Sequence, residues 1–154
     1  MKNILVPVDL DDRNDLIIKK AVELAEKFEA KIWLLHIAAP ESDFVGNEPG
    51  PQYIRDVEAK DLRRTHREIQ EMRDQLVADG LDAEALLVQG ATVAGIYEEA
   101  LKINADLIVL GYSDHSFFHN LWFGNNTIEV LKKSEIPLLV VPLWVSDREE
   151  INRD

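Results

Sequence analysis

The sequence contains no cysteine. Disulfide staples and thiolate metal sites are therefore excluded, and redox chemistry says nothing about compartment. No apolar run approaches the roughly 18 residues that a membrane span needs. The opening Met1-Lys2-Asn3-Ile4-Leu5-Val6 runs straight into a strand-like pattern. It lacks the apolar core and small-residue cleavage site of a secretory signal, so a cytoplasmic protein is expected. An excess of basic residues is missing too: 17 Lys and Arg stand against 29 Asp and Glu, a net charge of −12. Nonspecific nucleic-acid binding and attachment to anionic membranes both need a basic surface, so neither is expected. The acidity reads as a solubilising surface rather than an acidic docking face.

What is present suits one domain. A chain of 154 residues, 46% hydrophobic and 30% charged, can bury a core without staples. Residues 1–143 are expected to form it, with residues 144–154 as a polar tail. Asn3-Ile-Leu-Val-Pro-Val8 is apolar almost throughout, as a strand buried on both faces would be. Pro7 cannot donate to a ladder and should lie at that strand's end. Asp9, Asp11, Asp12 and Asn14 make a polar turn with helix-capping chemistry. Ile17, Ala21, Leu24, Ala25 and Phe28 then recur at helical spacing to about Glu29, and Lys31 to Ile37 reads as a second strand.

The pattern fails over residues 38–55, where Pro40, Gly46, Pro49, Gly50 and Pro51 mark a long loop. Such a loop is either a lid or a mobile insertion. A charged helix is expected over residues 56–79, with Leu62, Ile69, Met72, Leu76 and Val77 as its apolar stripe and Gly80 closing it. Ala85-Leu-Leu-Val-Gln89 is a third strand, followed by Gly90. Val93, Ile96, Tyr97, Ala100 and Leu101 outline a third helix, and residues 106–110 a fourth strand. A fourth helix begins near Gly124, where Asn126 and Glu129 have capping-box spacing. Pro137 precedes a fifth strand, Leu138 to Val141. Strands alternating with helices imply a parallel α/β sheet covered on both faces.

The stretch from Asp106 to Val141 organises the chain. A short apolar strand ending in Gly111, a loop, and a second glycine at a helix start together make an anion site. In an open α/β sheet, ligands sit at the carboxyl ends of strands near a topological switch point. Asp9, the segment His36-Ile37-Ala38, Gly90 and Gly111 all lie at such ends.

Those residues carry a resemblance. Ile4-Leu-Val-Pro-Val-Asp9, Leu34-Leu-His36-Ile37, Val88-Gln-Gly90, Ala105-Asp106-Leu-Ile-Val-Leu-Gly111 and Gly124 through Ile136-Pro137-Leu-Leu-Val-Val141-Pro142 resemble landmarks of the universal stress proteins. The resemblance implies a Rossmann-like, adenine nucleotide alpha hydrolase-like sheet of order 3-2-1-4-5, with a switch point between strands 1 and 4. It implies a regulatory stress-response module responsive to ATP or AMP, acting on a protein partner that the sequence does not reveal. The nucleotide-binding branch carries G-x2-G-x9-G-[ST]. Here the spacing is intact as Gly111-x2-Asp114-x9-Gly124-Asn125, with two of four positions matching. By this resemblance Asp9 and Ile37 would hold adenosine, and Gly111, Gly124 and Asn125 the phosphates. Each has an ordinary alternative: Asp9 as a helix cap, Ile37 as core, the glycines as tight turns.

Asp114 departs from the motif. A carboxylate about 4 Å from phosphate opposes it by roughly 1–4 kcal/mol, depending on effective dielectric. A bridging Mg²⁺ or Mn²⁺ would reverse that sign, and Asn125 retains an amide that donates to an oxygen anion. His115 and His119 have the spacing of metal ligands on a helix. They sit in a loop without the glutamate of a zinc-protease motif, so no metal site is assigned. His36 reads as a hydrogen-bonded structural histidine and His66 as a solvated one. Phe117, Phe118, Trp122 and Phe123 are apolar for a loop, packing onto the sheet or closing over a ligand. No nucleophile–base arrangement appears, so a turnover enzyme is not expected, and slow ATP hydrolysis would follow from resemblance alone. The resemblance also implies a homodimer through the last strand, Leu138, Leu139, Val140 and Val141, extended by Leu143 and Trp144.

Overall fold

The computed structural model describes residues 1–10, 14–38, 51–112 and 132–143. In order these form β1 (Asn3–Pro7), α1 (Asn14–Phe28), β2 (Lys31–Ala38), α2 (Gln52–Ala78), β3 (Ala83–Gln89), α3 (Thr92–Lys102), β4 (Leu107–Tyr112) and β5 (Leu138–Pro142). The five strands are parallel, as their alternation with helices predicts, and ordered β3-β2-β1-β4-β5, as the resemblance implies. Residues 132 and 133 are helical; the start of the expected fourth helix, with Asn126 and Glu129, lies outside the described residues. So do Asp11, Asp12, most of the 38–55 segment, His115, His119, the aromatic cluster from Phe117 to Phe123, and the tail.

β1 is apolar because both its faces are covered. Ile4, Val6 and Val8 join Ile17, Ala21 and Ala25 of α1 and Ile69 and Leu76 of α2 in one core. Leu5 joins Ile96 and Ala100 of α3 in the other. Pro7 is the last residue of the strand, where its missing N–H interrupts no ladder.

α2 begins at Gln52, earlier than its composition suggests. Pro51 occupies the N-cap position with φ −50°, and its carbonyl accepts from the amides of Ile54 and Arg55. Side-chain bonds Gln52 Nε2 to Asp56 Oδ1 (2.9 Å) and Arg55 Nη2 to Gln52 Oε1 (2.6 Å) then support the first turn. At the other end Gly80, at φ +90°, closes a Schellman motif: Leu81 N donates to Leu76 O and Gly80 N to Val77 O, both at 3.0 Å.

Four apolar assignments differ from expectation. Phe28 is exposed at the last position of α1, where the chain is already leaving the sheet. Val77 falls outside the narrow Ile69–Leu76 stripe and is exposed. Leu101 is 69% exposed because α3 is rolled so that Gly95 and Glu99, rather than Leu101, face inward. Leu143 is buried in the α1-side core, so its side chain does not extend an edge surface.

Asp106 is not part of β4. Its Oδ2 accepts from the amides of Lys2 (2.6 Å) and Asn3 (2.9 Å), while its own amide donates to Asn3 O (2.8 Å). This clasp locks β1 to the entry of β4 at the N-terminal end of the sheet. Nearby, Trp33 Nε1 donates to Asn3 Oδ1 (3.0 Å), and Lys31 lies over the Trp33 ring.

The two backbone donors hold the Asp106 carboxyl below its ordinary range. A depressed folded-state value means the contribution is complete above the unfolded value, near 3.9, and is lost as pH falls through the folded one. Asp106→Asn is therefore expected to be less stable than the parent at pH 7, with the gap narrowing below about pH 4. Urea midpoints across that range check it; a gap independent of pH would contradict the clasp.

Candidate functional site

The C-terminal ends of β1 and β4 form the switch point. β4 pairs with β1 only at Ile4↔Leu107 and Leu5↔Ile108, near the strands' beginnings. Its ladder with β5 instead runs from Ile108↔Leu138 to Tyr112↔Pro142, and β1 stays with β2 as far as Pro7↔Leu35. The ladder between the two central strands thus stops short of their C-terminal ends, where the order reverses and where open α/β sheets hold their ligands in a crevice.

Asp9 leaves the top of β1 half-buried. The carbonyl just before it is fixed: His36 Nδ1 donates to Val8 O at 2.8 Å, and Val8 N donates to Leu35 O at 2.8 Å. Since a carbonyl only accepts, this bond sets the histidine tautomer. His36 is the structural, hydrogen-bonded histidine expected from its place at a strand end, and it positions the start of the Asp9 turn. His66, as expected, is exposed on α2.

Gly111 lies within β4, opposite Val141, rather than after the strand. A side chain there would place Cβ 2.6 Å from Ile17 Cδ1 and 2.9 Å from Leu143 Cδ1. Any larger residue here would have to displace the ends of the Ile17 and Leu143 side chains, so the close approach of α1 to the sheet favours glycine. Ile37 is 6% exposed and packs into the α3-side core, on the sheet face opposite the one toward which a Gly111 Cβ would point. Its main chain, not its side chain, is what it has to offer a ligand. Gly90, after β3, has φ +144° and donates to Ala38 O at 3.1 Å, closing the top of β2 against β3. Asp114, Gly124 and Asn125 lie outside the described residues.

One packing residue was not singled out from the sequence. A Cβ on Gly95 would come 2.8 Å from Ile37 Cδ1, so this glycine sets the approach of α3 to β2. The signal was available: a glycine inside an amphipathic helix is costly unless something packs against it.

The electrostatics beside the crevice are acidic. A groove of about 390 Å³ between the start of α1 and α2 is lined by Asp15, Glu68 and Glu71 together with Leu10, Asn14 and Met72. These carboxylates oppose phosphate rather than attract it. Among the described residues, no three His, Asp or Glu side chains converge as a metal site would require.

The profile of the universal stress protein family matches residues 1–142. The chain belongs to that family. Universal stress protein C of Escherichia coli is 28% identical over 144 residues, covering 92% of this chain and 95% of the relative. The universal stress protein UspA of Lactobacillus plantarum superposes with a TM-score of 0.73 at 19% identity, covering 91% of this chain and 97% of that one. Two further solved family structures share the fold. One, in complex with cAMP, has a TM-score of 0.63 at 22% identity, covering 92% and 97% of the two chains. The other, from Archaeoglobus fulgidus in complex with dAMP, has a TM-score of 0.61 at 20% identity, covering 92% and 98%. No helix among the described residues is long and apolar enough to cross a membrane.

The packing role of Gly111 predicts that Gly111→Ala costs about 1–3 kcal/mol, the usual range for overpacking a filled core. Ile17→Val removes the Cδ1 that the new methyl would strike. In denaturant unfolding, the double substitution is expected to lose less than the sum of the single ones; strict additivity would contradict the contact.

Proposed function

We propose that this universal stress protein is a regulatory module whose state depends on an adenine nucleotide, ATP or AMP, held at the β1/β4 switch point. The observation that carries the reading is the end of the β1–β4 ladder at Leu5 and Ile108, with Asp9 and Gly111 beyond it. The cAMP and dAMP complexes of two structural relatives lend support. In this reading Asp9 and the main chain at Ile37 meet the nucleoside, and the residues after Gly111, with Gly124 and Asn125, meet the phosphates. Asp114 and the acidic groove oppose phosphate, so binding is weaker than with the full motif and is strengthened by Mg²⁺ or Mn²⁺. The chemistry is recognition rather than turnover.

A second reading is favoured by the close packing at Gly111: a nucleotide-free module that acts through its dimer surface. One experiment separates the two. Protein purified without added nucleotide is denatured, and the supernatant is analysed by ion-exchange chromatography; ATP is then titrated calorimetrically with and without Mg²⁺ or Mn²⁺. The nucleotide reading expects retained adenine nucleotide or metal-enhanced binding. Bare protein that gives no heat at millimolar ATP would sink it.

Both readings include a homodimer through β5. Among the described residues this strand pairs only with β4, so its outer edge is a pairing template. Leu138 and Leu139 are half-buried and Val140 is 39% exposed, while Val141 points into the core and would contribute backbone alone. Edge-to-edge pairing across a two-fold axis gives an isologous interface. Val140→Lys is expected to convert a dimer to a monomer in analytical ultracentrifugation. An unchanged mass would place the interface elsewhere.

A further inference from the structure

A cleft of about 590 Å³ opens between the first half of α2 and the upper end of β3. Leu62 of α2 and Leu87 of β3 line it, and Lys60, Arg63, His66 and Arg67 surround it. At about 100° per residue, Lys60, Arg63 and Arg67 fall on one helical stripe, with His66 beside Leu62. All four basic side chains are exposed, and none has an ion-pair or hydrogen-bond partner among the described residues. Arg64, which lies outside the cleft, is different. It is shared between Asp61 and Glu68, each at 3.7 Å.

That contrast is informative in a chain with 29 acidic residues and a net charge of −12. Acidic side chains are plentiful, yet among the described residues none forms an ion pair with the four basic ones. A stripe that served only to keep α2 in solution would need no apolar depression beneath it. The volume falls within the usual range for small-molecule sites, where an apolar lining holds the body of a ligand and a few polar groups orient it.

We infer that this cleft is a second ligand site, specific for a small amphiphilic anion with a compact apolar body and one carboxylate, sulfonate or phosphate head. The body would lie over Leu62 and Leu87, and the head would meet the Arg63 and Arg67 guanidiniums, whose planar donors suit such oxygens bidentately. The charge of the whole molecule selects the ligand's size. A long polyanion would carry its remaining charges across an acidic surface, whereas a single anionic head meets only the local cluster.

The site is separate from the switch point but not remote from it. β2 pairs with β3 so that His36 stands opposite Leu87, and His36 holds the Val8 carbonyl that precedes Asp9. A ligand on Leu87 would therefore touch the outer end of a short chain of contacts leading to the crevice. The inference does not depend on nucleotide binding there.

Fluorescence titration of the full chain tests it with two probes of nearly the same shape: anilinonaphthalene sulfonate, which carries the anionic head, and phenylnaphthylamine, which lacks it. The sulfonate is expected to bind saturably, one molecule per chain, and about tenfold or more tighter than the neutral probe. Replacing Arg63 and Arg67 together by Gln is expected to weaken the sulfonate by at least about tenfold while the thermal midpoint stays near the parent's. Arg64→Gln, outside the cleft, is expected to leave binding unchanged. Equal affinity for the two probes, or indifference to the paired Arg substitutions, would overturn the inference. Displacement of the sulfonate by ATP would overturn it too, because the probe would then report the switch point. A protein that binds no ATP yet passes the other tests would keep this inference and lose only the nucleotide reading.

Discussion

A central strand covered on both faces and hydrogen-bonded along both edges has no solvent to satisfy whatever its neighbours leave unpaired. β1 is such a strand, and the rest of the fold is arranged around meeting its needs. α1 and α2 close one face and α3 the other. β2 follows it along its whole length, whereas β4 follows it for only part. Just beyond β1, β2 still supplies the polar partners: Val8 N donates to Leu35 O, and His36 Nδ1 donates to Val8 O. On the opposite edge the ladder with β4 ends at Leu5, where the strand order reverses.

The two ends of the sheet are built differently. At the N-terminal end, Asp106, Asn3, Trp33 and Lys31 form a polar mesh that ties three strands together. At the C-terminal end, the described residues include one histidine bond, one glycine amide after β3, and close packing at Gly111. The family to which the chain belongs names the scaffold, but the residues at the open end decide what this copy of it binds.

Much of the fold was legible because periodicity and punctuation agree. The apolar run of β1, the proline at its end, the stripe of α1 and the glycine closing α2 all carry a local physical cause that survives into the structure. What escaped was decided by tertiary contact. Leu101 looks like a core residue, but the face of α3 that packs on the sheet carries Gly95, Ile96, Glu99 and Ala100, and Gly95 lies against Ile37 of β2, far away in the chain. Asp106 looks like the first residue of a strand until its carboxylate is seen to bind Lys2 and Asn3. For the candidate site, the family resemblance implied that strands 1 and 4 are neighbours, as found, whereas Gly111, expected after the fourth strand, lies inside it. It did not reveal that Gly111 lies tightly against Ile17 and Leu143, since steric demand across a sheet leaves no local mark.

The short ladder between β1 and β4 also has a mechanical meaning. On one side of it lie three strands with long mutual ladders, and on the other β4 with β5. Among the described residues the sheet thus reads as two plates joined along a seam that the Asp106 clasp fastens at one end and no ladder fastens at the other. A body wedged into the free end would act on the angle between the plates with the length of the strands as its lever. On the β4 side of the seam, that change of angle would be carried to the outer edge of β5.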